Sequence, residues 1–344
     1  MRTLNNTLHT YSPEKDGDGT IAPMKGDFIA IGDTVVDEFI ELEEANVHCD
    51  INNEQCTISM RWGDKIPFKS ATLVAGVGNS ANAAVSASRL GLKVALVTHI
   101  GKDSYGDEII RTFKKEKLNT SYIARQSGVP TNHHYVLSYQ SERTILVKHE
   151  AYTYHFPKNL PEPKTIYLSS LASTAESYHD EIASYLEIHP NIFFAFQPGT
   201  FQMKLGVERL MRLYHRANIL FVNKEEAGRI LKTPNTKDVR TLAEGLRSLG
   251  PKIVVITDGR AGAYALDKDE LIHLDMYPDL APPINRTGAG DAFASTTVTY
   301  LTLGMSLKDA MFRGTINSAH VVQKIGAQKG LLTKEALEIL ATKK

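Results

Sequence analysis

The chain has 344 residues, of which 42% are hydrophobic and 23% charged, so it can bury an extensive core in one large or two smaller domains. Lysine plus arginine and aspartate plus glutamate number 39 each. This balance gives no indication of a nucleic-acid or membrane partner and favours small molecules or further copies of the chain.

Residues 1–25 are polar and lack the apolar centre of a signal peptide, and no apolar stretch is long enough to span a bilayer. We therefore expect a flexible N-terminal tail, a cytoplasmic location and reduced thiols at Cys49 and Cys56. His48 precedes Cys49, but a second pair of ligands that would complete a zinc site is missing.

Short apolar runs alternate with helical patterns along residues 26–344, beginning with Phe28–Ile31. This alternation predicts an α/β domain whose parallel sheet is covered on both faces and binds ligands at the carboxyl ends of its strands. Further predicted strands span residues 94–98, 166–168, 192–196, 219–222 and 253–257. Predicted helices span residues 81–90, 104–117, 175–187, 239–249 and 334–340.

Two segments, at about 41–73 and 131–149, alternate polar and apolar residues instead. The pattern is clearest at residues 57–62, 134–139 and 143–147, and it is typical of strands with one exposed face. These segments predict a small separate sheet, which covers the main domain as a lid or pairs with another subunit.

Residues 76–81 have the pattern G-x-G-x-x-A before a helix, as in dinucleotide-binding enzymes. That function needs an acidic residue at the end of the next strand, where the chain has Thr98 and His99. Dinucleotide binding is therefore disfavoured.

Gly288, Ala289 and Gly290 precede Asp291 and a helix-compatible run. The glycines permit a tight turn with exposed N–H groups, and a helix beginning at about Asp291 adds the positive end of its dipole, so the stretch predicts an anion-binding turn. A carboxylate repels phosphate, which favours Asp291 as a base for a hydroxyl that attacks the phosphate. Aspartate is also a preferred helix N-cap, so the stretch alone leaves both explanations open.

Other polar residues follow predicted strands and also have two explanations. Asp37 is suited either to binding sugar hydroxyls or to forming a turn. Asn223 and Glu226 suit a magnesium ion near phosphates or a helix capping box. The third set is Thr257, Gly259 and Gly262. Its pattern is typical of a loop that binds a nucleotide or of a tight hairpin.

Six motifs occur in order along residues 27–340: Gly32…Asp37, Gly78…Asn82, Gly101-x-Asp103-x-x-Gly106, Asn223-x-x-Glu226, Thr257-x-Gly259-x-x-Gly262 and Thr287-Gly288-Ala289-Gly290-Asp291. Together they resemble the ribokinase-like (PfkB) family of sugar and nucleoside kinases. The resemblance implies a three-layer α/β/α sandwich with a mostly parallel central sheet and a small β-sheet lid that often pairs two subunits.

The resemblance also implies a role for each matching residue. Asp291 is the implied catalytic base, and the implied anion hole consists of the amides of Gly288, Ala289 and Gly290. The implied contacts to substrate hydroxyls are Asp37, Gly78 and Asn82. The magnesium and phosphate motif matches Asn223 and Glu226. The ATP side matches Thr257, Gly259, Gly262 and, over the adenine, Asn317 and Ala319.

The chain departs from the family pattern at Val77, where a glycine is usual, and at Asn285-Arg286, which replaces an acidic residue and threonine. The second departure leaves potassium activation open. Arg286 suits contact with the substrate or a phosphate, or a surface salt bridge.

The sequence therefore predicts ATP-dependent, magnesium-assisted phosphorylation of a primary hydroxyl of a small ribose- or fructose-like sugar. A nucleoside kinase of the adenosine type is the alternative, and a non-catalytic sugar or nucleotide sensor is the alternative from another class. Four residues in the predicted lid suit either stacking on a nucleobase or packing: Trp62, Phe68, His134 and Tyr135.

Overall fold

The computed structural model describes residues 26–49, 56–140, 142–279, 281–284 and 286–342. The predicted tail, residues 1–25, and Asn285 lie outside the described residues. The strands are β1 (Phe28–Ile31), β2 (Val35–Leu42), β3 (Asn46–His48), β4 (Thr57–Ser59), β5 (Phe68–Val77), β6 (Val94–Gly101), β7 (Ile123–Gln126), β8 (His133–Tyr139), β9 (Glu142–Leu146), β10 (Thr165–Leu168), β11 (Phe193–Phe196), β12 (Ile219–Asn223), β13 (Ile253–Thr257), β14 (Ala263–Asp267) and β15 (Glu270–Leu274).

The helices are α1 (Asn79–Arg89), α2 (Ser104–Lys115), α3 (Glu176–Ile188), α4 (Thr200–Leu205), α5 (Met211–Arg216), α6 (Lys224–Ile230), α7 (Val239–Arg247), α8 (Ala289–Thr302), α9 (Leu307–Val321) and α10 (Lys334–Ala341). In the described part of the chain, no helix is long and apolar enough to cross a bilayer.

The main sheet has the strand order β15-β14-β13-β12-β11-β10-β1-β6-β7. Its strands from β13 to β7 pair in parallel, and β14 and β15 add an antiparallel edge. All the strands predicted for this sheet are found in it, which confirms the predicted fold class.

Both faces of the main sheet are buried, because alternate residues of its strands enter different cores. In β1, Ile29 and Ile31 pack in a core with residues of α3, α5 and α7, whereas Phe28 and Ala30 pack with residues of α1, α2, α8 and α9. The short apolar runs in the sequence are the consequence of this two-sided burial.

The small sheet has the order β5-β2-β8-β9. The prediction that the strand within residues 57–62 contributes to this sheet is wrong. Thr57–Ser59 pairs only with Asn46–His48, in a separate hairpin, and the small sheet instead uses the long strands β2 and β5. β2 belongs there because it buries apolar residues such as Val36 and Phe39, whereas β3 is exposed throughout.

The expectation of reduced thiols is wrong for this structure, in which a disulfide joins Cys49 and Cys56. The reason is the register of the hairpin. His48 is paired with Thr57, so Cys49, which follows His48, lies opposite Cys56, which precedes Thr57.

Candidate active site

A cavity of about 310 Å³ lies at the carboxyl ends of three neighbouring strands of the main sheet. Gln197 follows β11, Asn223 ends β12 and Thr257 ends β13. Parallel strands deliver these ends to one edge of the sheet, where α/β proteins bind their ligands. The remaining polar or small residues that line the cavity are Asn79, Arg143, Glu226, Arg286, Gly288, Ala289, Gly290, Asp291 and Ala294.

The amino terminus of α8 opens onto this cavity. The helix begins at Ala289 rather than at about Asp291, because Gly288 adopts a left-handed conformation with φ of 83° and serves as the N-cap. No side chain caps the helix, and the Ala289 amide makes a long hydrogen bond of 3.5 Å to the Arg286 carbonyl oxygen. Amide groups of the first turn therefore remain available to an anion. Asp291 is therefore a residue of the first turn and not the N-cap.

The Asp291 carboxylate is buried and held by three side-chain amides. Asn79 Nδ2 and Gln197 Nε2 donate to its Oδ1 at 2.8 and 3.3 Å, and Asn82 Nδ2 donates to its Oδ2 at 2.8 Å. Burial raises the pKa of Asp291, and the three hydrogen bonds oppose that rise. The arrangement suits a base, because the carboxylate is fixed in position yet has a higher proton affinity than an exposed aspartate.

A second layer of hydrogen bonds fixes the amides themselves. Gln328 Nε2 donates to Asn82 Oδ1 at 3.0 Å, and the Tyr167 hydroxyl donates to Gln197 Oε1. Asn82, predicted to contact substrate, thus has both side-chain polar atoms engaged within the protein and does not line the cavity. The structure assigns it to the positioning of Asp291.

Asn223 and Glu226 form a capping box at the start of α6. Asn223 Oδ1 accepts from the Glu226 amide, and Glu226 Oε2 accepts from the Asn223 amide, both at 2.8 Å. Burial raises the pKa of Glu226, the hydrogen bond from the Asn223 amide opposes this, and the charge of Asp291 adds to the rise. The capping box considered for these residues is therefore present, and both residues also line the cavity, so a role beside magnesium and phosphates stays a prediction.

The donor set of the cavity fits a weakly chelated divalent cation. The hydrogen bond from the Asn223 amide engages one of the two Glu226 carboxylate oxygens, Oε2, and not the other. Within the described residues, no group of three or more histidine, cysteine, aspartate or glutamate side chains is placed to hold a metal. Magnesium in phosphoryl-transfer sites takes most of its ligands from phosphates and water, so one carboxylate is sufficient here.

A second cavity, of about 330 Å³, adjoins the first and shares with it Thr257, Arg286 and Gly290. Gly259, Gly262 and, from α9, Ala319 line it, together with apolar side chains such as Met276 and Val322. The combination of a glycine-containing loop with an apolar wall suits a nucleotide. With a nucleotide in the second cavity, the first cavity lies beyond the phosphate end of that nucleotide.

Asn317, predicted to lie over the adenine, does not line this cavity. Its side chain is fully buried, donates to Thr296 Oγ1 at 2.8 Å and accepts from the Leu332 amide at 2.9 Å. It therefore ties α9 to α8 and to the segment before α10. The neighbouring Ser318 and Ala319 line the cavity.

Asp37 and Gly78 lie outside the first cavity lining as well. Asp37 is buried on β2, with Oδ1 3.4 Å from His134 Nδ1. Gly78 is the N-cap of α1, and a Cβ there would lie 2.7 Å from the Asp33 carbonyl oxygen. The close approach of two loops accordingly accounts for Gly78, and Asp37 belongs to the inner face of the small sheet.

The four aromatic or imidazole residues noted in the sequence divide between two environments. Trp62, Phe68 and Tyr135 are exposed, by 101%, 55% and 44%. Of the four, only His134 is substantially buried, beside Asp37. The exposed rings do not line either cavity.

Several site residues were not predicted from the sequence. Asn79 lies three residues before Asn82 on α1, so the i, i+3 spacing of two asparagines was a usable signal. Gln197, Tyr167 and Gln328 approach Asp291 only through the fold. Arg286 lines both cavities and has no salt-bridge partner among the described residues, so the surface salt bridge considered for it is not found there.

Comparison with known proteins identifies relatives for nearly the whole chain. A model of the pfkB family of carbohydrate kinases matches residues 43–334. A ribokinase of Staphylococcus aureus (strain COL) is 26% identical over 323 residues, which cover 90% of this chain and 97% of that protein. An ATP-dependent 6-phosphofructokinase of Thermoanaerobacterium thermosaccharolyticum is 26% identical over 290 residues, which cover 78% and 85%.

Solved structures share the fold. The nucleoside kinase of Methanocaldococcus jannaschii has a TM-score of 0.76 at 20% identity and covers 93% of this chain and 99% of that one. An Arabidopsis thaliana ribokinase complexed with ribose and ATP has a TM-score of 0.76 at 18% identity, with 92% and 99% covered.

Alanine substitutions at two glycines of the anion-binding turn should have different effects, one on stability and the other on activity. A Cβ on Gly288 would lie 2.4 Å from the Ala327 Cβ and would meet a positive φ, whereas a Cβ on Gly290 would meet nothing within 4 Å. We expect Gly288→Ala to lower the free energy of unfolding by about 2 kcal/mol or more. Gly290→Ala should leave stability within about 1 kcal/mol of the wild type yet lower kcat by at least roughly tenfold, because its methyl group occupies space beside the bound anion.

Chemical denaturation and steady-state kinetics on the two variants provide the measurement. A Gly290→Ala protein with full activity would show that the first turn of α8 does not approach the transferred group.

Substitution of Asn79 should change how kcat/KM depends on pH. As the expected base, Asp291 must be ionised to accept a proton, so kcat/KM should rise with pH through its pKa. Asn79→Ala removes a hydrogen bond that lowers this pKa, so the acidic limb of the profile should move to higher pH. Asn46→Ala, at an exposed position of β3, is the matched control. An unmoved limb in Asn79→Ala would separate Asp291 from the observed titration.

Proposed function

Because the chain belongs to the pfkB family of carbohydrate kinases, we propose that it transfers the γ-phosphoryl group of ATP to a primary hydroxyl of a small ribose- or fructose-like sugar. The observation that carries the proposal is the buried Asp291 carboxylate, fixed by three amides in the first turn of a helix whose amino terminus opens onto a cavity. A base and an anion site then lie within one turn of helix.

In the proposed reaction, Asp291 takes the proton of the acceptor hydroxyl as its oxygen bonds to the γ-phosphorus and the bond from that phosphorus to the ADP oxygen breaks. The amides of Gly288, Ala289 and Gly290 stabilise the charge on the phosphoryl oxygens. Asn79, Asn82 and Gln197 hold the carboxylate toward the acceptor throughout. Little covalent chemistry is required of the protein beyond this positioning.

For the nucleotide we propose the second cavity, with the loop from Thr257 to Gly262 beside the phosphates and ribose and Ala319 and Val322 beside the base. Glu226 is the proposed protein contact of a hydrated magnesium ion. That ion, when bound, neutralises charge on the β- and γ-phosphates.

For the acceptor we propose the space between the first cavity and the inner face of the small sheet, which would then act as a lid. Asp37 and His134 present paired polar groups there, and Asp37 Oδ1 and His134 Nε2 are buried without a hydrogen-bond partner within the protein. Such groups match vicinal hydroxyls. The exposure of Trp62, Phe68 and Tyr135 supports a sugar over a nucleoside, since these rings are not placed to stack on a base.

The first prediction from this function concerns Asp291→Asn. The change preserves shape but removes the base, so we expect normal folding and ATP binding with a kcat lower by roughly 10²–10⁴-fold. The measurement is ATP consumption with pentoses, ketohexoses and nucleosides as acceptors, next to ATP binding by calorimetry.

The wild-type protein separates the alternatives in the same assay. Turnover with adenosine and not with sugars would replace the proposed sugar by a nucleoside. Ligand binding without turnover for any acceptor would favour a sensor and contradict the kinase assignment.

We further propose a homodimer formed through the outer face of the small sheet. The strand register places Leu73, Glu38, Tyr135 and Leu146 in one cross-strand row on this face, where Leu73, Tyr135 and Leu146 are 43%, 44% and 52% exposed. The Glu38 carboxylate in this row lies 3.2 Å from His133 Nε2. Exposed rows of large apolar residues on a sheet are typical of interaction surfaces. A second copy of the chain supplies a matching apolar surface for this row through two-fold symmetry.

Leu146→Glu should therefore convert a dimer into a monomer, because it replaces an apolar side chain of this row with a second carboxylate beside Glu38. Ile188→Glu is the control, since Ile188 is 75% exposed at the end of α3 and outside the small sheet. Sedimentation velocity at several concentrations measures the mass. A wild-type monomer at high concentration, or a Leu146→Glu dimer, contradicts this interface.

A further inference from the structure

We propose that Arg143 is a further catalytic residue, which contacts the transferred phosphoryl group from the small sheet. The inference rests on the proposed kinase function and adds to it a charge that the sequence motifs do not include. Among the described residues that line the first cavity, Arg143 alone comes from the small sheet.

The strand register places this side chain on the inner face. Arg143 is paired with Ser138 of β8, and antiparallel partners share a face. Alternate residues of β8 share that face too, so Arg143 lies on the same side as Val136 and His134. Val136 is fully buried and His134 is paired with Asp37, which identifies the side that faces the main domain.

The charge of Arg143 has no full counterion in the protein. None of the salt bridges among the described residues includes it, although Glu142 and Asp37 lie near enough to favour its charged form. Burial lowers the pKa of the guanidinium, but an arginine remains charged at neutral pH. A partly buried cation without a carboxylate partner is costly, and an anionic ligand removes that cost.

The distribution of arginines between the two cavities specifies which anion this is. Arg286 lines both cavities and therefore lies beside the phosphate chain of the nucleotide. Of these two cavities, Arg143 lines the one that holds Asp291 and Glu226 and not the proposed nucleotide cavity. It is therefore placed where charge accumulates on the phosphoryl group during transfer, and away from the part of the nucleotide that determines ATP affinity.

One functional consequence follows from the position of Arg143 on a sheet separate from the main one. The charge that stabilises the transition state is supplied by the same element whose inner face carries Asp37 and His134, the proposed acceptor contacts. Acceptor binding and charge stabilisation are thereby coupled through one sheet.

The test compares Arg143→Gln and Arg143→Lys with the control Arg61→Gln, which removes an exposed arginine paired with Asp64 outside the small sheet. We expect Arg143→Gln to lower kcat by roughly 10²-fold or more while the Kd of ATP, measured without acceptor, changes less than about threefold. Arg143→Lys should recover part of the loss, because lysine keeps the charge but not the planar fork. Arg61→Gln should match the wild type.

A second measurement distinguishes stabilisation of the transition state from effects on folding. Binding of ADP with aluminium fluoride and acceptor, which imitates the transferred group, should weaken in Arg143→Gln by a factor similar to the loss of kcat, while the melting temperature stays near that of the wild type. Added guanidinium ion should restore activity to Arg143→Ala and leave Arg61→Gln unchanged.

The outcomes separate the inference from the proposed function. A wild-type protein without kinase activity contradicts the function itself. An active wild type with an unchanged kcat in Arg143→Gln overturns the role of Arg143, and so does a variant in which only the KM of the acceptor rises, since that result assigns the arginine to acceptor binding.

Discussion

The site depends on one electrostatic constraint, the burial of the Asp291 carboxylate at the edge of the main sheet. A buried carboxylate without partners would be neutral, because desolvation favours its protonated form. Asn79, Asn82 and Gln197 each donate a hydrogen bond to it, and these bonds keep the charged form accessible. Asn82 in turn accepts a hydrogen bond from Gln328, and Gln197 accepts one from the Tyr167 hydroxyl. The hydrogen bonds around this one charged group thus connect residues from five parts of the chain: α1, β10, the loop after β11, α8 and the segment before α10.

The same constraint accounts for the arrangement of opposite charges around the cavity. Two carboxylates, Asp291 and Glu226, line the same cavity. The pKa of Glu226 is raised mainly by burial, and the charge of Asp291 adds to the rise. ATP adds further negative charge to this space in the proposed function. In that function the proposed compensation comes from the amide groups at the start of α8, a magnesium ion and the two arginines. Arg286 comes from the loop before α8 and Arg143 from the small sheet, so part of that compensation depends on how the second sheet lies over the first.

Local patterns carried much of the information about the fold. The apolar runs predicted the central strands because each of them is buried on both faces and has no polar position to interrupt the run. The small sheet was harder, since β2 and β5 have both buried and exposed portions and the strand at Thr57–Ser59, which alternates clearly, belongs to a separate hairpin. Reduced thiols were expected because the chain shows no signal-peptide pattern, but the register of that hairpin places Cys49 opposite Cys56, and a disulfide joins them. Pairing between strands is a long-range property, and residue types along one strand do not specify it.

What the sequence by itself determined is the chemistry that is encoded within a few consecutive residues. The turn at 288–291 and the capping residues Asn223 and Glu226 act through local backbone geometry, so their patterns along the chain predicted a helix start at each place, and the order of six motifs placed them in one expected site. Only the tertiary structure decided the surroundings of Asn82, Asn317 and Arg143. Asn82 and Asn317 are directed into the protein by partners more than ten residues away, at Asp291, Thr296 and Leu332, and Arg143 reaches the cavity through the pairing of β8 with β9. The physical reason is that the direction of a side chain is determined by what packs against it, and those contacts come from distant parts of the chain.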